Sequence, residues 1–347
     1  MNRQYQGALL LTCLAILLPV IMVVSVGTGA VPIVTGDILD VFLSRLALTD
    51  SPAPLTAQII ESIRLPRTLL GLLVGSALAV GGATMQGLFR NPLADPSIIG
   101  VASGSALGAG IAIVLGGLLL TNAPPLLQSY SISILAFLGG TLSTLLVYKT
   151  GTTSNGTSVA TMLLAGVAIN ALAGAGMGSL NYIADDAMLR NLMFWQMGSF
   201  SGATWNLVLI CASLLGPVIF ILCRNGQILN ALLLGESEAR HLGIDIQRIK
   251  LKLIFLTAMA VGVSVSVSGV IGFVGLVVPH LIRLIAGPDH RILLPASAML
   301  GGILLLVADM IARSIATPAE LPIGIVTALM GAPFFLSLLW QQRKRIS

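Results

Sequence analysis

Three places in this sequence carry residue types at spacings that could do chemistry. The turn GTTSNGTS (151–158) has the G-x-x-x-x-G spacing of a phosphate-binding loop, but Thr157 stands where the lysine must be. Without that lysine and a preceding buried strand, the turn cannot grip a nucleotide's phosphates, so any energy from ATP must enter through another subunit. The same turn contains NGT, a glycosylation pattern with no bearing on a loop that faces the cytoplasm. Asp185 and Asp186, in ADDA, are the only adjacent acids, and no catalytic motif surrounds them. His241, His280 and His290 all fall toward one side of the membrane, and Cys13, Cys211 and Cys223 lack metal-ligand spacing. His280, in VVPHLIRL, reads as a structural residue. We therefore expect no catalytic residues and no bound metal.

The elements that must position these residues are membrane helices. The chain is 56% hydrophobic and only 9% charged, far from a soluble domain's roughly 45–50% and 25%. Apolar runs of about twenty residues are long enough to cross a bilayer, and 38 glycines suit close packing between such helices. Ten spans are expected at about 7–27, 68–88, 97–119, 131–148, 157–183, 204–223, 251–269, 271–286, 293–315 and 322–340. The first is longer than a signal peptide's apolar core and reads as a retained helix. The seventh and eighth meet at SVSGVIGFVG, where Gly269, Gly272 and Gly275 allow a tight turn or a broken helix. Only Arg45, Arg64, Arg67, Arg190 and Arg313 of the 18 bases fall outside when the N-terminus is cytoplasmic, which places both termini inside. The net charge of +5 therefore reports topology and gives no case for nucleic acid. The blocks from Arg67 to Tyr182 and from Lys252 to Trp340 each hold four spans. An offset of five helices between them would make an inverted repeat.

One stretch breaks the apolar pattern. GESEARHLGIDIQRIK (235–250) packs acids, bases and a histidine into a loop between the sixth and seventh spans. Gly235 can start a short helix, Glu236 and Glu238 suit its N-terminal end, and Gly243 is a natural stop. Glu236 and Arg240 stand at i, i+4. So short a helix is unstable alone. It is either a solvated loop with incidental helicity or a docking element for a cytoplasmic partner.

The stretch RLPRTLLGLLVGSALAVGGATMQGLFRNPLADPSIIGVASGSALGAG (64–110) resembles the signature of the FecCD/BtuC-like permeases, the membrane subunits of ABC importers for iron chelates, haem and cobalamin. GESEARHLGI is similar to their coupling-helix loop. GFVGLVVPHLIRLIAGPDHRILLPASAMLGG and PAELPIGIVTALMGAPFFLSLL match later blocks in order. The resemblance implies a single all-α permease domain over 1–347 in the bacterial inner membrane, with ten helices. It also implies a homodimer with the pathway at its interface, two cytoplasmic ATPase subunits and a periplasmic substrate-binding protein. The ATPases would touch Glu236, Glu238, Arg240, His241, Leu242 and Gly243, with Leu242 and Ile244 anchoring the element against the membrane domain or the partner's groove.

The resemblance also assigns roles elsewhere. Arg64, Arg67 and Arg313 would pair with acids of the docked binding protein, where the residues alone suggest equally well that they snorkel. The fifth span would line the pathway, with a cytoplasmic gate near Ser158 and Thr161 and an intramembrane amide at Asn170 that needs partners. GVAINALAGAGMG and NYIADDAMLRNLMFWQMGS look closest to the haem permeases, which makes Arg190 a candidate to meet a haem propionate and makes haem the expected cargo. No cofactor is held permanently, and ATP is used by the partner. Ferric siderophore or cobalamin is the alternative cargo within the same framework.

In FRNPLADPSIIG, Pro92 and Pro96 interrupt the helix and Asp95 can cap the span that follows, with a contact to the ATPase as the lesser reading. Asp309 stands four residues before Arg313, its expected partner. An ion-coupled transporter would instead need carboxylates near the bilayer midplane, where the spans carry almost none. An intramembrane enzyme would need a catalytic constellation, and none is present in the sequence.

Overall fold

The computed structural model describes residues 3–29, 31, 33–45, 48, 53–153, 156–317 and 319–346. Ser154 and Asn155 of the polar turn, and Pro318 of the last block, lie outside them. Ten apolar helices occupy the ten expected spans: α1 (Arg3–Gly27), α4 (Leu65–Leu88), α5 (Val101–Leu119), α7 (Ser131–Gly151), α8 (Val159–Ile183), α10 (Trp205–Arg224), α13 (Ile246–Ser268), α14 (Val274–Ala286), α15 (His290–Ile315) and α16 (Ile323–Ile346). Eight of them are long and apolar enough to cross a membrane, while Val274–Ala286 and the apolar part of α16 are shorter. Six short helices join them: α2 (Thr35–Arg45), α3 (Pro54–Ile59), α6 (Pro125–Ser129), α9 (Asp186–Met197), α11 (Gly226–Leu234) and α12 (Glu236–His241). Two-residue strands β1 (Thr152–Thr153) and β2 (Gly156–Thr157) close the hairpin before α8.

Helix α4 is the hub. It packs on α10, α13, α14 and α15, and nearly all of its residues are buried. Its sequence explains this, because Gly75 meets the Gly301 backbone on α15 and Gly82 meets the Gly275 backbone on α14. In lipid the helices gain nothing from excluding water, so such backbone approach supplies dispersion contacts instead. Gly104 and Gly139 bring α5 and α7 together in the same way.

Breaks in the helices follow local chemistry. Pro66 has no N–H to complete an α-helical bond, and the turn before it, Ile60–Arg64, widens to a π-type turn that carries Arg64. Asp95 accepts a 2.8 Å bond from the Ser97 N–H and caps a 3₁₀ turn over Pro96–Ile99. Gly100, in the left-handed region, then lets α5 start at Val101. After α13, Gly269 and Phe273 both take positive φ. The chain reverses there, and α14 has only 13 residues, about 20 Å at 1.5 Å each, so it cannot span the bilayer.

Candidate functional site

The polar insertion forms α12. The Ile244 N–H bonds the Ala239 carbonyl at 3.2 Å and the Gly243 N–H bonds that of Arg240 at 2.9 Å, a Schellman motif closed by Gly243 at φ +81°. Ala239 is fully buried and Ile244 packs on the main core, which holds the helix down. Glu238, Arg240, His241 and Gly243 point outward. Leu242 is 66% exposed, so of the two expected anchorages it does not take the one on the membrane domain, which Ile244 provides. The expected Glu236–Arg240 pair also gives way. Glu236 Oε1 instead lies 2.8 Å from Lys250 Nζ on α13, because the buried ammonium needs a charge partner that Arg240, in water, does not.

That ammonium reaches a third element. Lys250 Nζ also donates to the Thr157 carbonyl at 3.1 Å, while Gln247 Oε1 accepts from the Thr157 N–H at 3.1 Å and from its hydroxyl at 3.2 Å. Lys250 and Gln247 are three residues apart, on one face of α13. Thr157 directly precedes Ser158, whose hydroxyl caps α8 by accepting from the Thr161 N–H at 3.3 Å and pairing with the Thr161 hydroxyl at 3.0 Å. Sequence reasoning missed both α13 residues. The available signal was a polar pair at i, i+3 in the first turn of an otherwise apolar helix.

Along α8, Thr161, Leu164, Ala168, Ala171, Ala175 and Gly178 form an exposed stripe of mostly small side chains. Asn170 lies beside this stripe, half-buried, and accepts a 2.5 Å bond from the Ser103 hydroxyl on α5, so the amide has found its partner in packing. Asp185 caps α9 through the Met188 N–H at 2.8 Å, and Arg190 stands exposed on that helix.

At the opposite end, the three arginines expected at the surface are buried, with 5% exposure for Arg64 and Arg313 and 7% for Arg67. The reason is electrostatic and long-range. Arg67 lies 2.8 Å from Asp309 and 2.8 Å from Glu320, and Arg313 lies 3.2 Å from the other Asp309 oxygen. Arg313 also donates to the Thr28 carbonyl at 2.6 Å and the Ser25 carbonyl at 2.7 Å. Arg64 donates to the carbonyls of Val26, Gly27 and Val31 and so ties down the chain after α1. The expected Asp309–Arg313 pair is present, but as half of a cluster in which two guanidinium groups, Arg67 and Arg313, face two carboxylates, Asp309 and Glu320. Only Glu320, 41% exposed, reaches the surface.

The histidines sit apart. His280 meets the Phe334 ring edge-on, His290 Nδ1 lies 3.0 Å from Asn230 Oδ1, and His241 is on exposed α12. Among the described residues no three His, Cys, Asp or Glu side chains gather as a metal site would require. Beside His290, Asp289 caps α15. The Arg291 guanidinium, together with a bond from Asn230, holds its carboxyl well below the usual carboxylate range.

Ten apolar helices around a glycine-lined hub, with an exposed polar helix at one end and a buried charge cluster at the other, make this a multi-pass membrane permease. The chain belongs to the FecCD transport family, whose model matches residues 17–341. It is 44% identical over 347 residues to a hemin transport system permease protein of Yersinia pestis, covering all of both chains. It is 42% identical over 330 residues to a cobalamin import system permease protein of Halobacterium salinarum, covering 94% of this chain and 86% of that one. Among solved structures it is similar to a metal-chelate-type ABC transporter in an inward-facing conformation, at a TM-score of 0.82 and 35% identity. That match covers 95% of this chain and 98% of the other.

Proposed function

We propose that this chain is the permease subunit of an ABC importer that carries haem across the bacterial inner membrane. It works as a homodimer with two cytoplasmic ATPase subunits, which hydrolyse the ATP, and a periplasmic binding protein, which delivers the cargo. The observation that carries the reading is the similarity to a hemin permease over the full length of both chains. Residues 1–347 act as one permease domain with both termini in the cytoplasm, a reading the distribution of bases supports.

In this reading α12 is the ATPase contact, and its outward-facing Glu238, Arg240, His241 and Leu242 meet the partner's groove. The α8 stripe faces its twofold mate, and small side chains leave room for a bulky, partly apolar cargo that binds weakly and leaves readily. The gate lies at Ser158 and Thr161. Arg190 is free to meet a propionate at the outer mouth. The buried cluster refines the docking proposal. An acid on the binding protein would compete with Glu320 for Arg67, while Arg64 and Arg313 hold the site in shape. Docking then depends on Arg67 exchanging its exposed partner Glu320 for an acid from outside.

The test is uptake into proteoliposomes holding the chain, its ATPase and its binding protein, with haem, a ferric siderophore and cobalamin offered in parallel. Haem accumulating alone supports the proposal. Cobalamin or siderophore accumulating in its place keeps the importer and removes haem as cargo.

A further inference from the structure

The Lys250 side chain bonds both the partner-facing helix and the residue beside the gate. Its ammonium has three N–H donors. One is used on Glu236, the first residue of α12, at 2.8 Å, and one on the Thr157 carbonyl at 3.1 Å. Lys250 is 3% exposed, so water barely reaches its contact with Thr157, while Glu236, 39% exposed, holds its side of the ion pair at the surface. Gln247, one turn earlier, takes the Thr157 N–H and hydroxyl. Thr157 therefore has its N–H, carbonyl and hydroxyl all bonded to α13. Its hydroxyl also lies 3.1 Å from that of Thr152, and the Ser158 N–H bonds the Gly151 carbonyl at 2.9 Å, which closes the hairpin onto α7.

We infer that Lys250 is the positioning residue that transmits movement of α12 to the start of α8. The inference rests on the importer reading above. A displacement of α12 pulls Glu236. Glu236 is itself 39% exposed, but pulling it away would strand the buried Lys250 ammonium without its charge partner, which is costly, so Lys250 follows. The Thr157 carbonyl then moves with it, and with that carbonyl the Ser158 cap of α8. Without the ammonium, α12 and the start of α8 share only the path through the α13 backbone and the Gln247 bonds, and they can move separately.

The test uses the reconstituted complex with a cysteine at Ser158. Its labelling by a membrane-impermeant maleimide is read by peptide mass spectrometry, with and without ATP plus vanadate, alongside ATP hydrolysis. In the parent complex the labelling rate should change several-fold between the two states. Lys250→Met should keep hydrolysis within about twofold and lose at least three-quarters of the nucleotide-dependent change, and Lys250→Arg should restore it. Gln247 is exposed, so Gln247→Leu serves if Lys250→Met does not assemble, and should at least halve the change. A parent complex that responds while both variants respond equally well overturns the relay. Hydrolysis and labelling falling together in Lys250→Met also overturn it, because a simple structural staple would behave that way. A parent complex with no nucleotide-dependent change overturns the importer reading, and the relay with it.

Discussion

Asp309 is 1% exposed and lies between two buried guanidinium groups, so neutralising it without changing its shape isolates what the charge contributes. Asp309→Asn keeps an oxygen that can accept from Arg67. It removes the negative charge shared by Arg67, at 2.8 Å, and Arg313, at 3.2 Å. Removing one partner of a buried pair costs about 3–5 kcal/mol, chiefly because the remaining charge is stranded. Here Arg67 keeps Glu320 and Arg313 keeps two carbonyls, which puts the cost at the low end, about 3 kcal/mol. At about 2–3 °C per kcal/mol for a chain of this size, the apparent Tm in detergent should fall by roughly 6–9 °C. Glu320→Gln is the internal control. That carboxylate is 41% exposed, so its pair with Arg67 is worth no more than about 1 kcal/mol and its loss should lower Tm by roughly 2 °C. Thermal scans of both purified variants decide the matter. Equal, small shifts would refute the view that the buried centre of the cluster, and not its rim, holds the outer end together.

Three further outcomes are expected. Gly82→Ala would drive a methyl group into the Gly275 backbone and should cost about 3 kcal/mol or more. Gly116→Ala, with nothing near the added carbon, should stabilise α5 by about 0.5 kcal/mol, and scans of the two proteins should move in opposite directions. The Asp289 carboxyl is held below its ordinary range, so its stabilisation is fully present above the unfolded value near 4 and fades only as pH falls below it. The Tm gap between the parent and Asp289→Asn, no more than about 1 kcal/mol, should therefore stay constant from pH 8 to about 4 and narrow below that. Arg190→Ala should slow haem uptake by about fivefold, the equivalent of one exposed ion pair of about 1 kcal/mol, without slowing hydrolysis.

Ten helices were legible because twenty-residue apolar runs leave a membrane chain few other choices. The cap at Asp95 and the stop at Gly243 were legible because they rest on neighbours within a few residues. The short helices α2, α6 and α11 carried no comparable signal, since brief segments at a membrane surface take their helicity from what they pack on. The charge cluster was misjudged for a different reason. Arg67 and Asp309 are 242 positions apart, and nothing local to RLPR says that a carboxylate waits inside. The family resemblance and the option of snorkelling made the arginines look like surface residues, and tertiary pairing buried them. Glu236 repeats the lesson on a smaller scale, because its neighbour at i+4 lost to Lys250, fourteen positions away, whose ammonium is buried.

The most direct test of the central claim concerns the source of energy. Haem accumulation would be measured in proteoliposomes carrying the full complex, with ATP inside or absent, and with ion gradients either imposed or collapsed by ionophores. The account predicts accumulation that requires ATP and is indifferent to the gradients. Accumulation that follows an ion gradient and ignores ATP would contradict it.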